Sequence, residues 1–123
     1  MDDFIDFEIA IELNSLGFDF NLDVNIIVDY YYNSEGKEVY WEFLKQDENY
    51  IPRIHLYDIS KWLRNHHNIN TEIEVSEWGY SYELWDTKQI KIIGGDMYFS
   101  SYEIALLNSI KTSINYIKDG KKD

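Results

Sequence analysis

The last helical segment constrains the fold most strongly, because apolar residues recur in it at helical spacing without a break. Ser100-x-x-Glu103, just ahead of that stripe, matches a capping box, in which two side chains satisfy the free amides of a helix start. A helix with one long apolar stripe needs a second layer to bury it. The sequence therefore predicts a packed helix up to Lys118 and a frayed tail over residues 119–123, with this stripe: Ile104, Leu107, Ile110, Ile114 and Ile117.

Two earlier segments have the same helical period. The first runs from about Asp3 to Leu16, where Asp2 or Asp3 can cap the start and Gly17 suits the end. The second follows Pro52 and runs from Leu56 to His67. The residues expected on the buried sides are Phe4, Phe7, Ala10, Ile11 and Leu13 in the first, and Leu56, Ile59, Trp62 and Leu63 in the second.

Five segments in which apolar and polar residues alternate predict five strands. Residues 24–32 and 37–45 flank the turn-forming run Asn33-Ser34-Glu35-Gly36, and residues 71–76, 80–85 and 89–93 follow the second helix. Gly94-Gly95-Asp96 is expected to end the sheet region. The order α-ββ-α-βββ-α predicts an α+β fold, a single domain over residues 1–118 with an antiparallel sheet of about five strands covered on one face by helices.

The charge of the chain is strongly acidic and unevenly spread. The net charge is -12 over 123 residues, and residues 1–50 hold thirteen acids against two lysines. Such a surface repels nucleic acid and anionic lipid, and it steers association toward basic protein surfaces. Solubility alone is the other explanation for this acidity.

Composition also restricts the compartment and the chemistry. The chain has no cysteine, no long apolar run and an acidic amino terminus, so we expect a soluble cytoplasmic protein that binds no membrane. His66-His67 lacks the spacing of a metal site. The sequence has no glycine-rich phosphate-binding loop, no nucleophile elbow and no helix with a His-Glu metal-binding motif. We therefore expect that the protein is not an enzyme and binds no cofactor and no metal.

The predicted hairpin sorts its aromatic residues onto two faces, because strand side chains alternate. Val28, Tyr30 and Tyr32, matched with Val39, Trp41 and Phe43, would form an apolar face. Tyrosines among carboxylates suit an arginine-rich or lysine-rich protein partner, since Tyr is a common interface anchor. A merely solvated face is the alternative. The predicted partner-binding residues on the opposite face are Asp29, Tyr31, Glu38, Tyr40 and Glu42.

The third strand repeats the pattern and adds Glu72 and Glu74 to the predicted partner-binding residues. Residues 70–87 contain five acids and no base. Lys88 and Lys91 on a neighbouring strand could neutralise part of this charge through cross-strand pairs.

Several stretches together resemble small phage and prophage proteins of Bacteroidetes: FEIAIELNSLGF, the Tyr-rich hairpin, IPRIHLYDISKWLRNHHNI, WGYSYELW and SSYEIALLNSIKTSINYI. The chain departs from that group at His55-Leu56, where Pro-Thr is frequent. The resemblance implies a mobile-element origin and carries no catalytic residues. Small acidic proteins of this origin are often inhibitors of host defence, including anti-CRISPR proteins.

Charge and resemblance together predict an inhibitor that occupies a basic surface of a host RNA-guided nuclease or another nucleic-acid enzyme. An immunity protein against a nuclease toxin would need the same charge. A sponge for signalling nucleotides would instead need a basic pocket built from Arg53, Lys61 or Arg64.

Overall fold

The computed structural model describes residues 4–18 and 28–120, which form two compact units, residues 4–55 and the chain from residue 56 onward. The described residues contain three α-helices and two three-stranded antiparallel sheets, so the α+β class is confirmed. The single sheet of five strands is not confirmed, because the strands divide between two sheets and a short strand at Ile51–Pro52 was not predicted.

The amino-terminal unit begins with helix α1, Phe7–Ser15. Asp6 caps the helix, because its carboxylate accepts a hydrogen bond of 2.9 Å from the amide of Ile9. The predicted caps, residues 2 and 3, lie outside the described residues. Gly17, at φ 93°, follows the helix as predicted. The helix buries Ile9, Ala10 and Leu13, whereas Ile11 is exposed, contrary to the prediction.

A small sheet completes this unit in the order β2-β1-β3, with strands β1 at Tyr30–Tyr32, β2 at Glu38–Tyr40 and β3 at Ile51–Pro52. Asn33 organises the β1–β2 turn, because its side-chain oxygen accepts hydrogen bonds from the amides of Glu35 and Lys37, each 2.9 Å long. The predicted turn is therefore confirmed. The predicted strand residues 24–27 lie outside the described residues.

Strand β2 ends five residues earlier than predicted, because the chain turns into a 3₁₀ helix at Trp41–Phe43. A 3₁₀ helix has three residues per turn, so the two-residue alternation of a strand does not apply to it. Trp41 and Phe43 are consequently 50% and 70% exposed rather than buried, and Glu42 no longer lies in a strand.

The carboxyl-terminal unit starts with helix α2, Leu56–His67, whose bounds and four buried residues agree with the prediction. Strands β4 (Ile69–Ser76), β5 (Gly79–Asp86) and β6 (Lys91–Phe99) then form an antiparallel meander in that order. Helix α3, Tyr102–Lys118, follows. Its cap is Ser101 rather than Ser100, since the Ser101 hydroxyl accepts a hydrogen bond of 3.1 Å from the amide of Ile104.

Strand β6 continues through Gly94-Gly95-Asp96, so the prediction that these residues end the sheet is wrong. The β5–β6 register shifts between Tyr80 and Tyr82 and between Leu84 and Trp85, which marks β6 as a bulged strand. A Cβ at Gly94 would lie 3.1 Å from the Thr112 side chain of α3. Glycine here permits close packing of the helix rather than ending the strand.

Helix α3 covers one face of this sheet. Hydrogen bonds join Thr71 to Ser109 at 3.3 Å and Tyr82 to Thr112 at 2.7 Å. Because strand side chains alternate, the neighbours of Thr71 and Tyr82 in β4 and β5 point to the opposite face. None of the helices in the described residues has the length and apolar character that a membrane span requires.

The buried carboxylate of Asp86 joins the β5–β6 turn to α3. It is 3% exposed, and one oxygen accepts hydrogen bonds of 3.0 Å from the amides of Lys88 and Gln89. The other oxygen accepts a bond of 3.1 Å from the Tyr116 hydroxyl. One side chain therefore fixes both the turn geometry and the helix position.

Replacing Asp86 with alanine should lower the free energy of unfolding by about 2–4 kcal/mol, because three donors lose a charged acceptor in a buried place. Asp86→Asn should cost less, since it retains one side-chain acceptor. Urea denaturation measures both. Asp119→Ala, at the exposed end of α3, is the control and should change the value by less than about 0.5 kcal/mol. An Asp86→Ala variant as stable as the control would contradict this role.

Candidate functional site

The face of the β4–β6 sheet opposite α3 carries a row of carboxylates. Glu72 lies directly opposite Glu83, and Glu74 lies opposite Ser81. On its other side Glu83 lies opposite Gly95 of β6. Directly opposite residues of antiparallel strands share a face, so these side chains project together from the surface that α3 leaves open.

Three glutamates line a shallow depression of about 470 Å³ on this face, and Asp96 borders it where the β5–β6 register is irregular. We call it the acidic depression. Gly94 and Gly95 contribute only backbone atoms to its lining. The apolar side chains of Ile92 and Met97 also line it. The acidic residues of its lining are Glu72, Glu74, Glu83 and Asp96.

Glu72 and Glu83 form a like-charge pair across two strands. Opposite positions in an antiparallel pair bring Cβ atoms to about 4.5–5.5 Å, and like charges at that separation destabilise a sheet. The Glu83 carboxylate also accepts a hydrogen bond of 2.8 Å from the Trp85 indole, which fixes its orientation beside Glu72. The free protein thus holds two like charges at directly opposite positions of its open face.

No lysine or arginine in the described parts of the chain forms a salt bridge with these four carboxylates. The salt bridges Lys37–Glu35, Lys45–Glu48 and Arg53–Glu38 lie in the amino-terminal unit. Lys91 lies opposite the buried Asp86 rather than opposite a glutamate of the open face. Partial neutralisation of this face by Lys88 and Lys91 stays a prediction.

The predicted positions of Glu72 and Glu74 on one face of β4 agree with the structure, and both line the acidic depression. Two of its acidic residues, Glu83 and Asp96, are not among the predicted partner-binding residues. Glu83 lies between two buried residues, Tyr82 and Leu84, and that alternation could have identified it. Asp96 could not be found in this way, because Gly94-Gly95-Asp96 has the composition of a turn.

The hairpin does not place its five predicted residues on one face. The register pairs Tyr31 with Val39, Tyr32 with Glu38 and Tyr30 with Tyr40. Glu38 and Tyr40 therefore share the face of Tyr30 and Tyr32, and Tyr31 lies on the other. This is a shift by one residue from the expected pairing, and such a shift reverses every side chain.

The other two predicted residues lie outside the strands: Asp29 is exposed ahead of β1, and Glu42 lies in the 3₁₀ helix. Binding of a partner by Asp29, Tyr31, Glu38, Tyr40 and Glu42 stays a prediction.

Glu38 already has a cationic partner within its own unit. The Arg53 guanidinium lies 2.9 Å from the Glu38 carboxylate, and it stacks 4.3 Å from the centre of the Phe4 ring and 4.9 Å from that of Tyr30. This arrangement neutralises Glu38 and engages Arg53. Glu38 is thus less suited to a basic partner, and Arg53 less suited to an anionic ligand, than the sequence indicated.

Tyr40 lies at the centre of a group of aromatic rings. The ring centres of Tyr30, Trp41 and Phe43 lie 5.4, 5.9 and 6.4 Å from that of Tyr40. Edge-on and tilted contacts between aromatic rings at these distances are favourable, even at a surface. The exposed aromatic residues of this segment are therefore a local cluster rather than part of the core.

Residues 4–18 and 28–120 contain no group of three His, Asp or Glu side chains arranged to hold a metal ion. Comparison of the chain with protein-family models, with curated proteins and with solved structures finds no match. The charge and geometry of the open face are thus the basis for any functional conclusion.

Replacing Glu72 with lysine should raise the free energy of unfolding by about 0.5 kcal/mol at low ionic strength, because an opposite-charge pair replaces a repulsive one. Concentrated salt should shrink this gain by screening. Thermal and urea unfolding at two salt concentrations measure the effect. Glu77→Lys in the exposed β4–β5 turn makes the same change in net charge. If that control stabilises the protein equally, the repulsion between Glu72 and Glu83 is not the cause.

Proposed function

We propose that this chain is a non-enzymatic interaction protein whose acidic depression binds a basic surface of another protein. The observation that supports this most is the directly opposite placement of Glu72 and Glu83 on the open face, with Glu74 and Asp96 in the lining of the same depression. Repulsion on a free surface costs stability, and a cationic partner that sits between the carboxylates would remove that cost. Retained costs of this kind are expected at functional surfaces.

The partner that best fits this charge is an enzyme that binds nucleic acid. Such enzymes present basic surfaces to phosphate backbones, and a carboxylate surface on a chain of net charge -12 can occupy the same place. We propose a bacterial RNA-guided nuclease or another defence nuclease as the target. The protein would then act as a phage-type, anti-CRISPR-like inhibitor in the host cytoplasm, which the resemblance to phage proteins also supports.

The immunity-protein alternative uses the same surface against a nuclease toxin, and a toxin gene beside this one would favour it. The nucleotide-sponge alternative has less support. Arg53, one of the three cations from which its pocket could be built, is engaged by Glu38 and two aromatic rings.

The proposal is tested with a panel of purified RNA-guided nucleases and basic nuclease toxins. We expect the chain to inhibit DNA cleavage by at least one member and to compete with duplex DNA for it. Genes next to that of this chain would then separate inhibitor from immunity protein. If no member of the panel is bound, the proposal is wrong for these two classes of partner.

Glu72→Gln combined with Glu74→Gln should weaken binding to the inhibited enzyme about ten-fold and reduce the dependence of affinity on salt. The reason is that both carboxylates belong to the acidic depression. Calorimetry at two salt concentrations measures this. Glu35→Gln combined with Glu48→Gln removes the same charge from the amino-terminal unit and is the matched control. Equal losses in the two variants would show that net charge, and not this face, carries the binding.

A further inference from the structure

One end of the β4–β6 sheet exposes large apolar side chains that the proposed charge contact does not explain. Val75 lies opposite Tyr80, and Tyr80 lies opposite Phe99, so the β4–β5 turn and the end of β6 are neighbours. Val75, Trp78 and Tyr98 are 70%, 71% and 70% exposed there. We call these three residues the apolar end. Trp and Tyr are among the residues that most often dominate the binding energy of interfaces.

Tyr98 has an unfavourable backbone conformation. Its φ is 74°, in the left-handed region, which costs residues other than glycine about 1–2 kcal/mol. It lies in the stretch where the β5–β6 register shifts, and the Asp96 carboxylate accepts a hydrogen bond of 2.8 Å from the amide of Met97 beside it. Since Tyr98 is largely exposed, burial offsets little of this strain. Strained residues of this kind point to function.

The turn that carries Trp78 is held in place. The Ser76 hydroxyl accepts a hydrogen bond of 3.2 Å from the amide of Trp78 and donates one of 3.3 Å to the carbonyl of Gly79. Gly79 has a φ of 124°, and a Cβ there would lie 2.6 Å from the carbonyl oxygen of Phe99. Trp78 is thus presented from a fixed turn, which lowers the entropy that binding would cost.

Tyr98 adjoins the acidic depression along β6, because Met97, which lines the depression, immediately precedes it in the irregular part of that strand. Val75 shares the face of its partner Tyr80, which is the face that α3 covers, so only Trp78 and Tyr98 are considered together with the depression. A ligand on this surface would therefore meet carboxylates and exposed apolar side chains together. Interfaces commonly combine such apolar anchors with charged groups at their edge.

We infer that Trp78 and Tyr98 are the apolar anchors of the interface whose charged part is the acidic depression. This rests on the proposed function and specifies the partner further. The partner is a protein segment in which arginines stand beside large apolar side chains, so that the arginines reach Glu74 and Asp96 while the apolar groups cover Trp78 and Tyr98. A surface recognised through charge alone would not need the apolar end.

Two synthetic peptides of equal length and charge test this, one alternating arginine with leucine and the other alternating arginine with serine. Calorimetry should show the leucine peptide binding at least about ten-fold more tightly. Equal binding of the two peptides would overturn the inference while leaving the proposed charge contact intact. Binding of neither would contradict both.

Tyr98→Gly should separate a binding role from a structural one. It relieves the left-handed strain, so the midpoint of thermal unfolding should rise by about 2–4 °C while the preference for the leucine peptide disappears. Trp78→Ser should abolish the same preference without lowering the midpoint.

Ile90→Gly is the matched control, because Ile90 also has a left-handed φ, 56°, and is 79% exposed, but lies in the β5–β6 turn at the other end of the sheet. It should raise the midpoint similarly and leave peptide binding unchanged. If Tyr98→Gly and Trp78→Ser keep the leucine preference, or if Ile90→Gly loses it as well, the anchors are not at this end.

Discussion

The packing of α3 against a single face of the β4–β6 sheet is the constraint on which the rest of the carboxyl-terminal unit depends. Its polar contacts, Thr71 with Ser109, Tyr82 with Thr112 and Asp86 with Tyr116, fix which side of each strand is covered. Because side chains alternate along a strand, Glu72, Glu74 and Glu83 must then lie on the face that α3 does not cover. The acidic surface is a geometric consequence of where one helix packs.

The sequence predicted the parts of the fold in which apolar and polar residues differ sharply. Helix α2 has correct bounds because its apolar residues lie at helical spacing and the other side is polar. The hairpin was predicted poorly because tyrosine suits either face of a strand. The apolar residues of the two strands could therefore be placed on one face in a register that the structure does not have. The site was predicted in part for the same reason: Glu72 and Glu74 follow clear alternation, whereas Asp96 depends on a bulge.

Several features of the sheet oppose its stability. Glu72 repels Glu83, and Tyr98 and Ile90 hold left-handed conformations that glycine would adopt at little cost. The buried network of Asp86 and the close approach of α3 at Gly94 stabilise the same unit. The proposed interface accounts for the repulsion and for the strain at Tyr98 together, while Ile90 has no comparable explanation in the structure.

The most direct measurement of the central claim is an NMR titration of the isotope-labelled chain with an arginine-containing peptide, following backbone amides and side chains. If the open face binds the peptide, saturable shifts are expected at Glu72, Glu74, Glu83 and Asp96 and at their strand neighbours, with little change in α3. Shifts concentrated on α3 or on residues 28–55, with the open face of β4–β6 unchanged, would contradict the claim.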